Sequence, residues 1–136
     1  MGLKKKKKSS FKLVKDVYNL SEKELINYQP KLKKKKNIFN IKDGKKRRYY
    51  FLCWFFTERC PLHKLPNFNK RCWGRSSCYE LDHILSISHA YLENIPPHLV
   101  GSMENLRFIP KKENRDKSFK LTEDSHKILR KFKRNR

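Results

Sequence analysis

Nowhere does the sequence hold the roughly 20 consecutive apolar residues that cross a bilayer as a helix, which argues against a helical membrane protein. No apolar segment follows the start Met1-Gly2-Leu3 and the basic run Lys4 to Lys8, so no secretory leader is expected. The myristoylation pattern fails as well, because position 6 is Lys6 where that signal needs Ser or Thr. No internal repeat is visible. Acidic residues are scarce, with 13 Asp and Glu against 35 Lys and Arg, for a formal net charge of +22. These absences describe an intracellular, cytoplasmic chain with no membrane partner. In a reducing compartment its four cysteines are expected as core residues or metal ligands rather than disulfides.

A length of 136 residues suits one compact domain with flexible arms. The charge is unevenly placed. Residues 1–48 carry 18 Lys/Arg and 4 Asp/Glu, residues 49–110 carry 6 and 5, and residues 111–136 carry 11 and 4. The near-neutral centre also holds every cysteine, both tryptophans and most of the aromatics. The expected organisation is therefore a basic, partly disordered nucleic-acid-binding arm over 1–48, a packed core over 49–119, and a basic helix over 120–136. Dispersed Lys/Arg runs at both ends of a neutral core suit phosphate neutralisation.

Local signals place the elements. Ser21 with Glu24 three residues on is a capping-box pattern for a short helix that must stop before Pro30. Asp43-Gly44 reads as a turn into the apolar run Tyr49 to Phe56, either a buried strand or a short helix, since periodicity does not separate the two. Contiguous and without basic interleaving, that run reads as core rather than a base-stacking platform. Residues 57–79 read as loop. Residues 80–88 and 106–109 alternate like strands, Pro110 opens a helix over 111–118, and Thr122 starts a last helix with an Ile128, Leu129 and Phe132 stripe.

The candidate chemistry sits on the first strand and the helix after the second. Phosphodiester hydrolysis needs a deprotonated water on one side of phosphorus and positive charge near the phosphoryl and leaving oxygens. Adjacent strand residues point to opposite faces, so Asp82-His83 aims a hard oxygen ligand and an imidazole in different directions from one place. Asn114 would add a neutral oxygen, a set that suits Mg²⁺ or Mn²⁺. An unpaired Asp inside an apolar strand is costly, and a metal is its simplest partner. Lys117, one turn after Asn114, would contact the scissile or adjacent phosphate, with Arg115 and Lys111 adding further contacts.

The stretch Leu81-Asp82-His83-Ile84, Asn105-Leu106 and Asn114-Arg115-Asp116-Lys117-Ser118 resembles the HNH endonuclease family, including small phage-type and homing-type members. The likeness covers about residues 79–119. It implies an α+β fold with a ββα-metal (HNH, His-Me finger) core and metal-dependent hydrolysis of DNA, with RNA the lesser substrate, to 3′-hydroxyl and 5′-phosphate ends. It implies His83 as general base, Asp82 and Asn114 as metal ligands, and Asn105 as the tether of the loop that orients the base. One such site cuts one strand, so the protein would nick as a monomer or cut both strands as a homodimer.

The zinc ribbon common around such cores is absent, since Pro110 and Glu113 occupy positions where cysteines would stand. Cys60, His63, Cys72 and Cys78 form an alternative structural Zn²⁺ set, with Cys53 able to replace His63. His89 and His98 read as surface groups or phosphate contacts. The competing reading is a non-catalytic basic nucleic-acid-binding module in which Asp82 and His83 are a buried ion pair, Asn105 a turn residue and Asn114 an exposed helix position.

Overall fold

The computed structural model describes residues 14–71, 78–117 and 120–136. Helices α1 (Val14–Tyr18) and α2 (Glu22–Tyr28), a 3₁₀ turn at Pro30–Lys34, and helices α3 (Lys36–Phe39) and α4 (Gly44–Arg59) lead to strand β1 (Tyr79–His83). Helices α5 (Ile87–Leu92) and α6 (Pro97–Val100) precede strand β2 (Leu106–Pro110), helix α7 (Lys111–Lys117) and helix α8 (Glu123–Asn135). The fold is α+β, with one small antiparallel sheet among helices in the described residues. Among the described residues no helix is long and apolar enough to cross a membrane.

Local chemistry sets the helix starts. Ser21 Oγ accepts from Glu24 N at 3.1 Å while Ser21 N donates to Glu24 Oε1 at 3.0 Å, the capping box read from the sequence. Asp43 is a cap rather than a hairpin turn: its Oδ1 accepts from Lys45 N and Lys46 N at 3.0 and 3.3 Å. Those bonds satisfy donors that a helix start leaves open. The run Tyr49 to Phe56 is thereby helical, and position 48 lies inside a 16-residue helix rather than at a boundary.

Helix α4 is apolar on several sides because it is covered on several sides. Phe51, Leu52 and Phe55 pack with Val17, Leu25, Leu32 and Ile38, while Cys53 packs with Leu85, Ile87, Ala90, Ile95, Val100, Leu129 and Phe132. Residues 14–39 thus supply core side chains, and the arm expected over 1–48 is folded over that part. Residues 1–13 lie outside the described residues. The last helix docks through Leu129 and Phe132 and leaves Arg130 and Lys131 exposed.

Strand β1 pairs with β2 in the register Tyr79↔Pro110, Leu81↔Phe108, Asp82↔Arg107 and His83↔Leu106. It is shorter than the expected 80–88, because Ser86 caps α5 by accepting from His89 N at 3.3 Å. The connection from 84 to 105 is tied down at two points. Gly101 lies so close to α4 that a Cβ there would stand 2.6 Å from Cys53 O and 2.7 Å from Phe56 Cβ. Buried Ser125 on α8 donates to Ile84 O at 2.6 Å.

Candidate active site

The sheet register and the strand pleat place the chemistry. Glu80 and Asp82, two residues apart, share one face of β1, and α7 lies against that face through contacts with both. Asn114 Nδ2 donates to Glu80 Oε1 at 3.2 Å, and one turn later Lys117 Nζ donates to Asp82 Oδ1 at 2.9 Å. His83, the next residue, turns the other way toward α4. Asp82 and His83 do diverge from one backbone position, and both are buried.

Asp82 is not an orphan carboxylate. Its Oδ1 takes the buried Lys117 ammonium and its Oδ2 takes Arg107 Nε at 2.8 Å, from the register partner on β2. Lys117 Nζ also donates to His83 O at 2.8 Å. Asp82 is thus neutralised by two cations here, and Lys117 is held between Asp82 and the His83 carbonyl rather than standing free. Asn114 stands over Glu80 rather than bonding Asp82, which adds Glu80 to the site. The period-two spacing of Glu80 and Asp82 was its signal.

His83 Nε2 lies 2.9 Å from Thr57 Oγ1. The Thr57 hydroxyl has a single proton, and it donates to Cys53 O at 2.8 Å. The imidazole must therefore donate through Nε2–H, and Nδ1 is the nitrogen left with its lone pair. The ring edge also packs on Trp54, 4.9 Å between centroids. Burial, then the positive charges of Lys117 and Lys35, push the His83 pKa from 6.5 down to about 3. Nothing local in the sequence marked Thr57.

Asn105 is fully buried and holds the connection rather than forming a simple turn. Its Oδ1 accepts from Leu85 N at 2.8 Å, and its Nδ2 donates to Leu85 O and Val100 O at 3.1 and 2.9 Å. The backbone just after His83 is thus pinned by one side chain. Lys111 is half-buried and Arg115 exposed on α7. His89 Nδ1 meets Ser86 Oγ and His98 Nδ1 meets Tyr18 Oη, both at 2.8 Å, so neither ring is simply a surface group.

Among the described residues the members of the zinc set do not converge. Cys60 is a free thiol 3.0 Å from Gly101 O and 3.3 Å from Phe56 O, and His63 is exposed. Cys78 is disulfide-bonded, contrary to the expectation of reduced thiols, and its sulfur is no longer a thiolate ligand. Cys53, the alternative ligand, is buried in the core. Cys72 lies outside the described residues. Among the described residues no group of three or more His, Cys, Asp or Glu is arranged to hold a metal ion.

Glu80, Asp82 and Asn114 nevertheless present hard oxygen donors along β1 and α7. Two carboxylates and an amide fit the chemistry of a Mg²⁺-class ion, which takes few protein ligands and keeps several waters. Such an ion would compete with the Lys117 ammonium for Asp82. Comparison with protein-family models, curated proteins and solved structures finds no match.

Proposed function

We propose that the protein is a metal-dependent endonuclease of the HNH type acting on DNA, with His83 as general base and a ββα core made by β1, β2 and α7. One observation carries this reading: Thr57 Oγ1 meets His83 Nε2 and so leaves the lone pair on Nδ1, one residue from the Asp82 carboxylate, while Asn105 pins the Leu85 backbone just beyond it. A general base needs that protonation state before it meets water. Burial first, and then the charges of Lys117 and Lys35, hold its pKa low and make it a weak acceptor; a phosphate anion that drew those two cations would raise its basicity by their share of the shift.

Asp82 and Asn114, with Glu80 beside them, would hold a Mg²⁺-class ion, which when bound supplies positive charge to the phosphoryl and leaving oxygens. Lys117, which such an ion would displace from Asp82, would reach phosphate instead. His83 Nδ1 takes a proton from the attacking water as its oxygen bonds to phosphorus, and the P–O3′ bond breaks with the departing O3′ taking a proton from solvent, which leaves 3′-hydroxyl and 5′-phosphate ends, the outcome that the family likeness implies. The charge of +22 supplies the attraction for the polyanion.

The non-catalytic reading keeps one observation in its favour: Asp82 is already neutralised by Lys117 and Arg107. A plasmid-nicking assay in Mg²⁺ and in EDTA separates the two. Metal-dependent nicking by the wild type, lost in His83→Ala, is expected. Equal cleavage by the variant, or none by the wild type in any divalent metal, would refute the nuclease.

A further inference from the structure

Beside this site is a cleft of about 990 Å³ whose wall includes Lys31, Lys34, Lys35, Glu58, Phe68 and Arg71, of which only Lys35 enters the chemistry above. The sequence builds the basic side simply. A 3₁₀ helix repeats every three residues, so in Pro30–Lys34 the side chains of Lys31 and Lys34 eclipse each other, while Leu32 is buried in the core. Lys35 joins the cleft to the site described: its ammonium lies 3.7 Å over the Trp54 ring, and the His83 ring packs against that same indole.

Glu58 is the anomaly in this wall. Its side chain is 6% exposed, its Oε2 meets Lys31 Nζ only at 4.0 Å, and among the described residues its Oε1 has no hydrogen-bond partner. A buried carboxylate oxygen without a donor is costly in isolation and calls for one from a ligand. The cations around it favour an anionic ligand, so that ligand must carry both negative charge and N–H groups. A nucleotide has both.

We propose that the cleft is a nucleotide subsite that prefers guanine, with Glu58 accepting from the base, Lys31 and Lys34 holding phosphate, and Phe68 offering a ring face. The base follows from donor geometry. The Watson–Crick edge of guanine presents two adjacent N–H donors, which match the two oxygens of one carboxylate. Adenine and cytosine set one amino donor beside a ring-nitrogen acceptor, and thymine flanks its one N–H with carbonyls, so each turns a lone pair toward Glu58. Phe68, 38% exposed and packed edge-on to Phe108 at 5.7 Å, has surface left for base stacking. As part of a substrate groove the subsite rests on the function proposed above, but recognition of the base needs no cleavage.

The test is calorimetric titration of the full chain, in EDTA, with dGMP, dAMP, dCMP and dTMP. The wild type is expected to bind dGMP at least about tenfold more tightly than the other three, the scale of one good two-point base contact. In Glu58→Gln, which keeps the side-chain shape, the four affinities should fall within about twofold of each other. Lys34→Ala should weaken all four alike and lessen the salt dependence. Equal affinities in the wild type, which need no variant to measure, or a dGMP preference that persists in Glu58→Gln, would overturn the proposal. Guanine preference without His83-dependent nicking leaves the subsite standing and removes the nuclease. His83-dependent nicking with equal affinities removes the subsite alone.

Discussion

Acid should unfold this protein in a way that one histidine accounts for. The His83 pKa is about 3 in the folded chain against 6.5 when unperturbed, with burial the first cause and the charges of Lys117 and Lys35 next. Between those values the unfolded chain binds a proton that the folded chain refuses, so stability rises with pH across the window. The contribution is complete above about pH 6.5 and is lost as pH falls toward 3, at about 1.36 kcal/mol per pH unit. From pH 7 to pH 5 the expected loss from His83 is about 2 kcal/mol. In urea, with a slope near 2 kcal/mol/M, the midpoint should drop by about 1 M. The control is His83→Gln, whose amide keeps an N–H for Thr57 and does not titrate in this range. His98, half-buried and also shifted downward by burial, is present in both proteins and cancels in the difference. A variant that loses as much stability as the wild type over this interval would show that His83 is not held neutral by its surroundings, and the tautomer argument would fail with it.

Three further outcomes follow from single contacts. Thr57→Val strands the His83 Nε2–H, so it should cost roughly 1–3 kcal/mol, shift the imidazole ¹⁵N signals toward a tautomer mixture and reduce nicking, while Thr57→Ser restores all three; unchanged ¹⁵N shifts would remove Thr57 from the site. Asn105→Ala deletes three buried hydrogen bonds and should cost about 3 kcal/mol by urea unfolding, and a loss under about 0.5 kcal/mol, the level of an ordinary surface change, would contradict its tethering role. Gly101→Ala pushes a methyl against backbone atoms of α4, for which overpacking of about 3 kcal/mol predicts a melting point roughly 10 °C lower; an unchanged melting point would mean that α6 is free to move away.

What the sequence disclosed was local chemistry. The Ser21 box, the Thr122 cap, the helix after Pro110 and the β2 alternation are each decided within about four residues, and each stands in the structure. The aromatic run could not be assigned because a helix covered on several sides loses the one-sided stripe that identifies it. Ser86 cut β1 short by capping the next helix, a competition that alternation alone does not register. At the site, the divergence of Asp82 and His83 was legible from the pleat, but the partners were not. Lys117, Arg107 and Thr57 reach them from 35, 25 and 26 residues away, distances over which no periodicity speaks.

The residues that carry the family likeness, about 79–119, hold two five-residue strands, short helices and the seven-residue α7. That segment does not complete its own site. The tautomer of His83 depends on a hydroxyl from α4, and Gly101 keeps the connection against the same helix. The carbonyl of Ile84, next after His83, is held by Ser125 of α8. Helix α4 in turn is fixed by Val17, Leu25, Leu32 and Ile38 from the basic N-terminal region. The basic N-terminal region expected as a phosphate-binding arm is therefore structural as well, the last helix takes the core-docking alternative open to it, and removing either would loosen the support of His83. Basic charge and site geometry are built here from the same helices, with Lys and Arg on their outer faces and the support for the imidazole on their inner ones.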